Sequence, residues 1–281
     1  MTRPQQEAGN GAGQPALPSL SVVIVTWNEA PLIVDAVRAA RAVGDEVIVA
    51  EGGSTDGTAE TARAEGCEVV MAPKGRGPQL QAGASAARGE VLLFLHADAR
   101  LAPAARAAIL DALSDPEVVG GAFYVRFLPQ SWFTGLLEPM NSLRRQATKR
   151  YYGDTGLFVR ASVYRALGGH KPWPVMHDYE FSGRMEKAGR CVYIREPPIW
   201  ASTRRFRRRE LRTLFRWLAI QSLYRMGVSP YLLGRFYPDV RGDAERFIAQ
   251  ARERIGQNKA APERVQAETP MLQRDDNSSG I

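Results

Sequence analysis

Two side chains able to hold a metal ion or an activated phosphate stand with one residue between them in residues 90–98, EVLLFLHAD. The apolar run at 91–95 has strand length, is too brief for a buried helix and lacks polar alternation. It predicts a central parallel strand covered on both faces. His96 and Asp98 follow at its carboxyl end, where open α/β sheets bind their ligands. Alternate residues of a strand share a face, so both can reach one ligand or one ion. Asp98 is also readable as the cap of a helix starting near Ala102. This stretch alone leaves both readings open.

Three other stretches carry candidate chemistry. In 51–58, EGGSTDGT, Gly52 and Gly53 permit a tight turn, and Ser54 and Asp56 can cap the helix that follows. Glu51 at a strand's end suits a ribose hydroxyl or a base N–H, although any α/β protein needs a capped βα loop. Gly75-Arg76-Gly77 resembles an anion-binding loop in which Arg76 reaches a phosphate. It has neither Walker spacing nor a GxGxxG after a first strand, which disfavours a P-loop enzyme or a dinucleotide dehydrogenase. Asp178 and Glu180 open a helix expected over 177–188, and a helix N-terminus keeps such a carboxylate ionised.

These residues need a sheet to hold them. Apolar runs at 20–25, 46–50, 68–71 and 91–95 predict strands. The intervening patterns predict helices over 30–43, 58–65 and 79–87. Strand and helix thus alternate through the first hundred residues, the pattern of right-handed βαβ units and a largely parallel sheet. Beyond Pro116 the rhythm changes. A longer strand is expected over 118–127, a basic helix or helical pair over 132–150, a turn entering a strand over 151–160 and a short helix over 161–167. Short strands follow near 191–194 and 199, then a basic amphipathic segment over 204–226.

The chain has 281 residues, two cysteines and a formal charge of +7. Two cysteines give no disulfide framework and suit a reducing, cytoplasmic compartment. No apolar run is long enough to span a membrane. Residues 1–18 and the end of 241–281 read as a disordered leader and tail around a C-terminal helix. The positive charge points to an anionic partner without naming it.

The blocks VVIVTWNEA, VIVAEGGSTDGT and GRGPQLQAGASAARGEVLLFLHADA resemble the family 2 glycosyltransferases of GT-A fold. So do YYGDTGLFVR, LGGHKPWPVMHDYEFSGRMEKAGR and STRRF, in the right order across residues 20–238. They are most similar to the bacterial branch associated with arsenosugar biosynthesis. The resemblance implies an α/β, Rossmann-like, mostly parallel sheet flanked by helices, with a helical C-terminal extension. It divides 19–240 into a nucleotide-binding half, 19–116, and an acceptor half, 117–240.

It also implies roles. Thr26, Asn28 and Glu29 match the first nucleotide-contact loop, and Glu51 stands where an Asp faces the base and ribose. Gly53, Arg76, Gln79 and Ala97 lie in the matched blocks and complete the expected donor contacts, with Arg204 and Arg205 near the diphosphate. His96-Ala97-Asp98 replaces the Asp-x-Asp metal motif, with Asp98 the metal carboxylate and His96 its partner for Mn²⁺ or Mg²⁺. Asp178 matches the catalytic base of inverting enzymes. His177 stands for the usual Glu beside it, and Thr155 for the Gln of a Gly-Asp-Gln block.

The implied activity is metal-dependent, inverting transfer from a nucleotide sugar to a hydroxyl acceptor, either a small molecule or a lipid-linked one. Departure of a nucleoside diphosphate leaves charge that a divalent ion and arginines stabilise, while Asp178 accepts the acceptor's proton. A non-catalytic sugar-nucleotide binder is one alternative. A nucleic-acid binder using 204–216 is another, disfavoured because no nucleic-acid module is present. In 204–226, Arg208, Arg212 and Arg216 stack beside an apolar stripe of Leu211, Phe215 and Leu218. Such a helix either docks at the inner face of a membrane or packs on the sheet with its arginines in water.

Overall fold

The computed structural model describes residues 17–206, 209–237 and 244–258. In chain order the elements are β1 (Leu20–Thr26), α1 (Ala30–Arg41), β2 (Glu46–Glu51), α2 (Thr58–Ala64), β3 (Glu68–Met71), α3 (Arg76–Ala86) and β4 (Val91–His96). Then come β5 (Ala99–Arg100), α4 (Ala105–Ala112), β6 (Val118–Leu128), α5 (Trp132–Thr148), β7 (Phe158–Arg160), α6 (Ala161–Ala166) and α7 (His177–Ala188). The chain closes with β8 (Arg190–Ser202), α8 (Glu210–Arg225), α9 (Pro230–Gly234) and α10 (Ala244–Asn258).

The strands form one sheet in the order β3-β2-β1-β4-β7-β6-β8-β5. Strands β3, β2, β1 and β4 run parallel. The central strand expected at 91–95 is therefore parallel to β1, but on its other side it meets β7 antiparallel. Its unbroken apolar run has a direct cause. Val91, Leu93 and Leu95 face one helical layer with Ile33, Val37 and Ile109, and Leu92 and Phe94 face the other with Leu80, Tyr164 and Phe181. Covered on both sides, the strand has no water-facing position for a polar residue.

Chain order reverses between β1 and β4, and register brings the two strand ends side by side: Val25 pairs with His96, and Thr26 with Glu51 of β2. That crevice is where such sheets take ligands.

Several boundaries differ from the sequence expectations. Helix α3 starts at Arg76 rather than Gln79, so the expected anion loop is the helix's first turn. Helix α4 starts at Ala105, not Ala102, because Ala99 and Arg100 pair with Ala201 and Trp200 of β8. The two short strands near 191–194 and 199 are one, β8, parallel to β6 with register shifts along it. Residues 1–16, Arg208 and the tail beyond 258 lie outside the described residues, so the expected leader, the Arg208 position in the arginine stack and the expected tail are not part of this description.

Gly83 shows how closely the layers meet. A Cβ there would stand inside the contact distance of Val23 Cγ1 and 3.2 Å from the Ala50 Cβ. Helix propensity alone favours Ala over Gly by about 1 kcal/mol, whereas overpacking costs about 1–3 kcal/mol. Gly83→Ala is therefore expected to lower the urea midpoint, and a raised midpoint would show that the layers can part.

Candidate functional site

The loops at the strand ends are stiffened first. Asn28 adopts a left-handed backbone with φ 53°. Its N–H donates to Ser54 Oγ at 2.7 Å, and its Oδ1 accepts from Thr55 N–H at 2.8 Å. Fully buried Glu51 turns its carboxylate into its own turn, accepting from Gly53 N–H at 2.7 Å, Ser54 N–H at 2.9 Å and the Ser54 hydroxyl. Gln79 Nε2 donates to the carbonyls of Thr26 and Ala50, tying α3 to β1 and β2.

A cavity of about 260 Å³ opens above these loops. Of the residues expected to contact a donor, Thr26, Glu29, Arg76, Gln79, Ala97, Arg204 and Arg205 line it, together with His96 and Asp98. Asn28, Glu51 and Gly53 do not. Their polar groups hold the turn, so the structure gives them a part in shaping the crevice rather than lining it.

One arginine joins the strand ends. Arg204 follows β8 and is only 8 % exposed. It donates to both Glu29 oxygens at 2.8 and 2.6 Å and, through Nε, to Asp98 Oδ2 at 2.8 Å. The reading of Arg204 as part of a solvated basic face is thereby overturned, as is that of Asp98 as a helix cap. Burial would push the Asp98 carboxyl up, but Arg204 and Arg205 outweigh it, with help from Arg76, and hold it far below the carboxylate range. His96 is driven the other way. Burial, then the Arg76 charge, holds it well below the imidazole range against the pull of Asp98.

Beneath them, fully buried Arg100 donates to the carbonyls of Ala97 and Ala99 at 2.7 and 2.8 Å and to Asp35 at 2.7 Å, bracing the turn that carries Asp98. Arg252 of α10 holds the other Asp35 oxygen at 2.8 Å. Sequence reading missed Arg100, since Asp35 lies 65 residues away and nothing local marks the pair.

A second cavity, of about 390 Å³, meets the first at Arg76, His96, Asp98 and Arg205. Asp178 lines it from the first turn of α7, accepting from Gly153 N–H at 2.5 Å and its neighbour Tyr179 N–H at 2.7 Å. A Cβ on Gly153 would lie 2.5 Å from His96 Nε2 and 3.4 Å from Asp178 Oδ2, so the two border one small space. Thr155 and His177 line this cavity too, as do Arg144, Arg150, Tyr152 and Asp154, which sequence reading did not single out. Tyr237 was also missed. It lines both cavities and accepts from Arg205 at 2.9 Å. Glu180 is elsewhere, paired with Arg184 and Lys171.

The donor set can be tested against a divalent ion. A carboxylate held ionised and an imidazole held neutral are in the states that bind one. No cluster of three or more His, Cys, Asp or Glu is gathered for a metal among the described residues. Arg76, Arg204 and Arg205 oppose a bare cation and favour an anion. The residues therefore fit an ion that arrives with a diphosphate and completes its shell from phosphate oxygens and water.

Two outcomes follow from these charges. Arg204→Met leaves the Glu29 and Asp98 carboxylates buried without their partner, at an expected cost of about 3–5 kcal/mol. Unfolding by urea measures it, and a change below 1 kcal/mol, roughly the worth of a surface ion pair, would mean the trio is ornamental to the fold. Burial also holds His170 and His177 below the usual imidazole range. The unfolded chain then binds more protons below about pH 6.5, so each His removes up to about 1.4 kcal/mol of stability per pH unit as pH falls. A urea midpoint flat from pH 7.5 to about pH 5.5 would show these groups charged in the fold.

Comparison with known proteins gives the site its context. A mannosyltransferase from Pyrobaculum calidifontis, in complex with GDP-Man and Mn²⁺, is 20% identical, over 90% of this chain and 73% of that one, with a TM-score of 0.55. TarS of S. aureus, residues 1–349, is 17% identical over 66% of this chain and 60% of that one, with a TM-score of 0.53. These likenesses show the fold, which is of the GT-A type. Glucosyl-3-phosphoglycerate synthase from Mycobacterium tuberculosis is 22% identical over 58% of this chain, at a TM-score of 0.42, and the chain spans 64% of its length. Against another mycobacterial protein it spans 54%. Residues 21–168, just over half of the chain, match the model of "Glycosyl transferase family 2", and the protein belongs to that family.

Proposed function

We propose that the protein transfers a hexosyl group from a nucleotide sugar to a hydroxyl acceptor, with inversion and with a divalent ion. The observation that carries this reading is the junction of two cavities at His96 and Asp98, with Asp178 across Gly153. Family membership supports it, as does the GDP-Man and Mn²⁺ bound by the Pyrobaculum mannosyltransferase. On this reading residues 19–116 bind the nucleotide and 117–240 receive the acceptor. The His-Ala-Asp motif and the other matched blocks favour the arsenosugar-associated branch.

The residues divide the work by charge. Thr26, Glu29, Gln79 and Ala97 bound the donor cavity, and Arg76 and Arg205 turn positive charge toward a leaving diphosphate, with Arg204 lining the same cavity while paired to Glu29 and Asp98. Asp98 and His96 would hold Mn²⁺ or Mg²⁺, which supplies Lewis-acid stabilisation of the β-phosphate when bound. The imidazole favours Mn²⁺. Asp178, fixed by two backbone N–H groups, takes the proton of the attacking hydroxyl at one carboxylate oxygen. Nothing in the site favours nucleic acid as partner, since Arg204 is consumed in buried ion pairs.

Asp178→Asn should keep nucleoside diphosphate affinity and lose transfer by about 10²–10⁴-fold. Near-normal turnover in that variant would remove Asp178 from the mechanism. Mn²⁺ should bind weakly alone and at least tenfold more tightly beside a nucleoside diphosphate, a coupling of about 1.4 kcal/mol or more. Asp98→Asn should abolish that coupling. Equal Mn²⁺ affinity with and without the diphosphate, measured by titration calorimetry, would contradict the proposed ligand set.

A further inference from the structure

Exposed apolar surface is concentrated in one place. Of the fourteen large apolar side chains exposed among the described residues, all but Leu17 and Met71 belong to α5, α8, α9 or the turns after α8 and α9. On α5, Trp132 is 75 % and Leu143 67 % exposed, and Leu136 and Met140 complete a stripe at helical spacing. On α8, Leu211, Phe215 and Leu218 are exposed by 59 %, 67 % and 51 %. The expectation that this helix packs on the sheet with its arginines in water accounts for its inner side alone. There Ile220 is buried with Val175 and Met176, and Leu214 and Trp217 are partly covered. Helix α8 thus carries apolar residues on two sides, and its outer ones, interleaved with Arg212 and Arg225, are left open to solvent.

The two helices are also walls of the larger cavity. Leu137 and Met140 of α5 face Leu214, Trp217 and Leu218 of α8 across it. Phe206 wedges between their bases, 5.5 Å from the Phe133 ring and 5.1 Å from that of Trp217. The inner end is polar. Arg144 stacks 3.8 Å over the Tyr152 ring, and Arg144 Nη1 and the Tyr152 hydroxyl are buried without hydrogen-bond partners. The cavity thus runs from an apolar mouth to an inner end where Arg144, Arg150 and Tyr152 stand beside Asp154 and Asp178, with two buried donors still without hydrogen-bond partners, the profile of an amphiphile whose polar head accepts hydrogen bonds.

We propose that α5, α8 and α9 seat the protein on an anionic bilayer, and that the cavity between α5 and α8 takes its acceptor from that bilayer. The acceptor is a lipid whose anionic headgroup meets Arg144 and Tyr152 and whose hydroxyl reaches Asp178. The acceptor role rests on the transfer reading above; the docking does not. Charge decides against a second copy of this chain as the covering partner. Exposed Arg209, Arg212, Arg225 and Arg235 border the apolar surface, and self-association would bring like charges together where an anionic surface neutralises them.

The test uses the full chain without donor or metal, so its failure is separate from failure of the transfer reading. Co-sedimentation should show binding to phosphatidylcholine vesicles containing phosphatidylglycerol about tenfold or more tighter than to phosphatidylcholine alone, weakened by salt. The combined variant Trp132→Gln, Leu211→Gln, Phe215→Gln should lose that binding and keep nucleoside diphosphate affinity. Dodecyl phosphate below its micelle concentration should bind the wild type at least tenfold more tightly than it binds Arg144→Gln, while inorganic phosphate binds the two alike and more weakly, and dodecyl maltoside binds neither. Wild type and triple variant partitioning alike would overturn the docking surface, as would a dimer that the triple replacement dissociates. Inorganic phosphate binding as tightly as dodecyl phosphate would overturn the lipid acceptor.

Discussion

The buried Arg204 guanidinium, shared between Glu29 and Asp98, is the interaction on which the candidate site depends. It joins three strand ends that the chain visits far apart: the loop after β1, the turn after β4 and the end of β8. Three charges in a dry place are costly to desolvate, and bidentate geometry is what offsets that cost. The same arrangement settles the protonation of the site. With Arg204 and Arg205 near, Asp98 stays ionised against its burial, and burial with Arg76 beside it keeps His96 neutral. A site of this charge receives an anion, or a cation already paired with one.

The sheet makes that geometry possible. Parallel register places Thr26, Glu51 and His96 along one edge, and the reversal of chain order at β1 and β4 leaves a crevice between them. The second half of the chain then supplies the opposite wall. Gly153 is a place where only hydrogen fits, since a methyl would meet His96. Its N–H reaches the Asp178 carboxylate at the same point. Position along β4 and position along α7 are thereby coupled through one glycine, and the candidate metal residues and the candidate base stand in fixed relation.

Much of this was legible in the sequence, for identifiable reasons. The apolar run 91–95 announces a strand covered on both faces because a solvated face would demand alternation, and the structure has none. His96, Asp98 and Asp178 stand at element ends, where local pattern is strongest. What escaped is what depends on distant partners. Arg100 finds Asp35, and Arg204 was as readily a surface residue until Glu29 and Asp98 enclosed it. Glu51, expected to face the ribose from its place at a strand end, also accepts from Gly53 and Ser54 of its own turn, a local role that its position did not by itself reveal. Helix α8 has apolar residues on two sides, and no sequence rule says which side the body will cover.

On the proposed reading, a donor in one cavity is attacked from the other, across the junction at His96 and Asp98, with Asp178 as base. The stereochemistry of the released sugar tests it most directly. Proton NMR of the first sugar formed from UDP-glucose or GDP-mannose with Mn²⁺, recorded before mutarotation, reports the face of attack. Attack through Asp178 predicts the β-anomer from an α-linked donor. A nascent α-anomer would mean retention, and would contradict the placement of the base on the far side of the sugar.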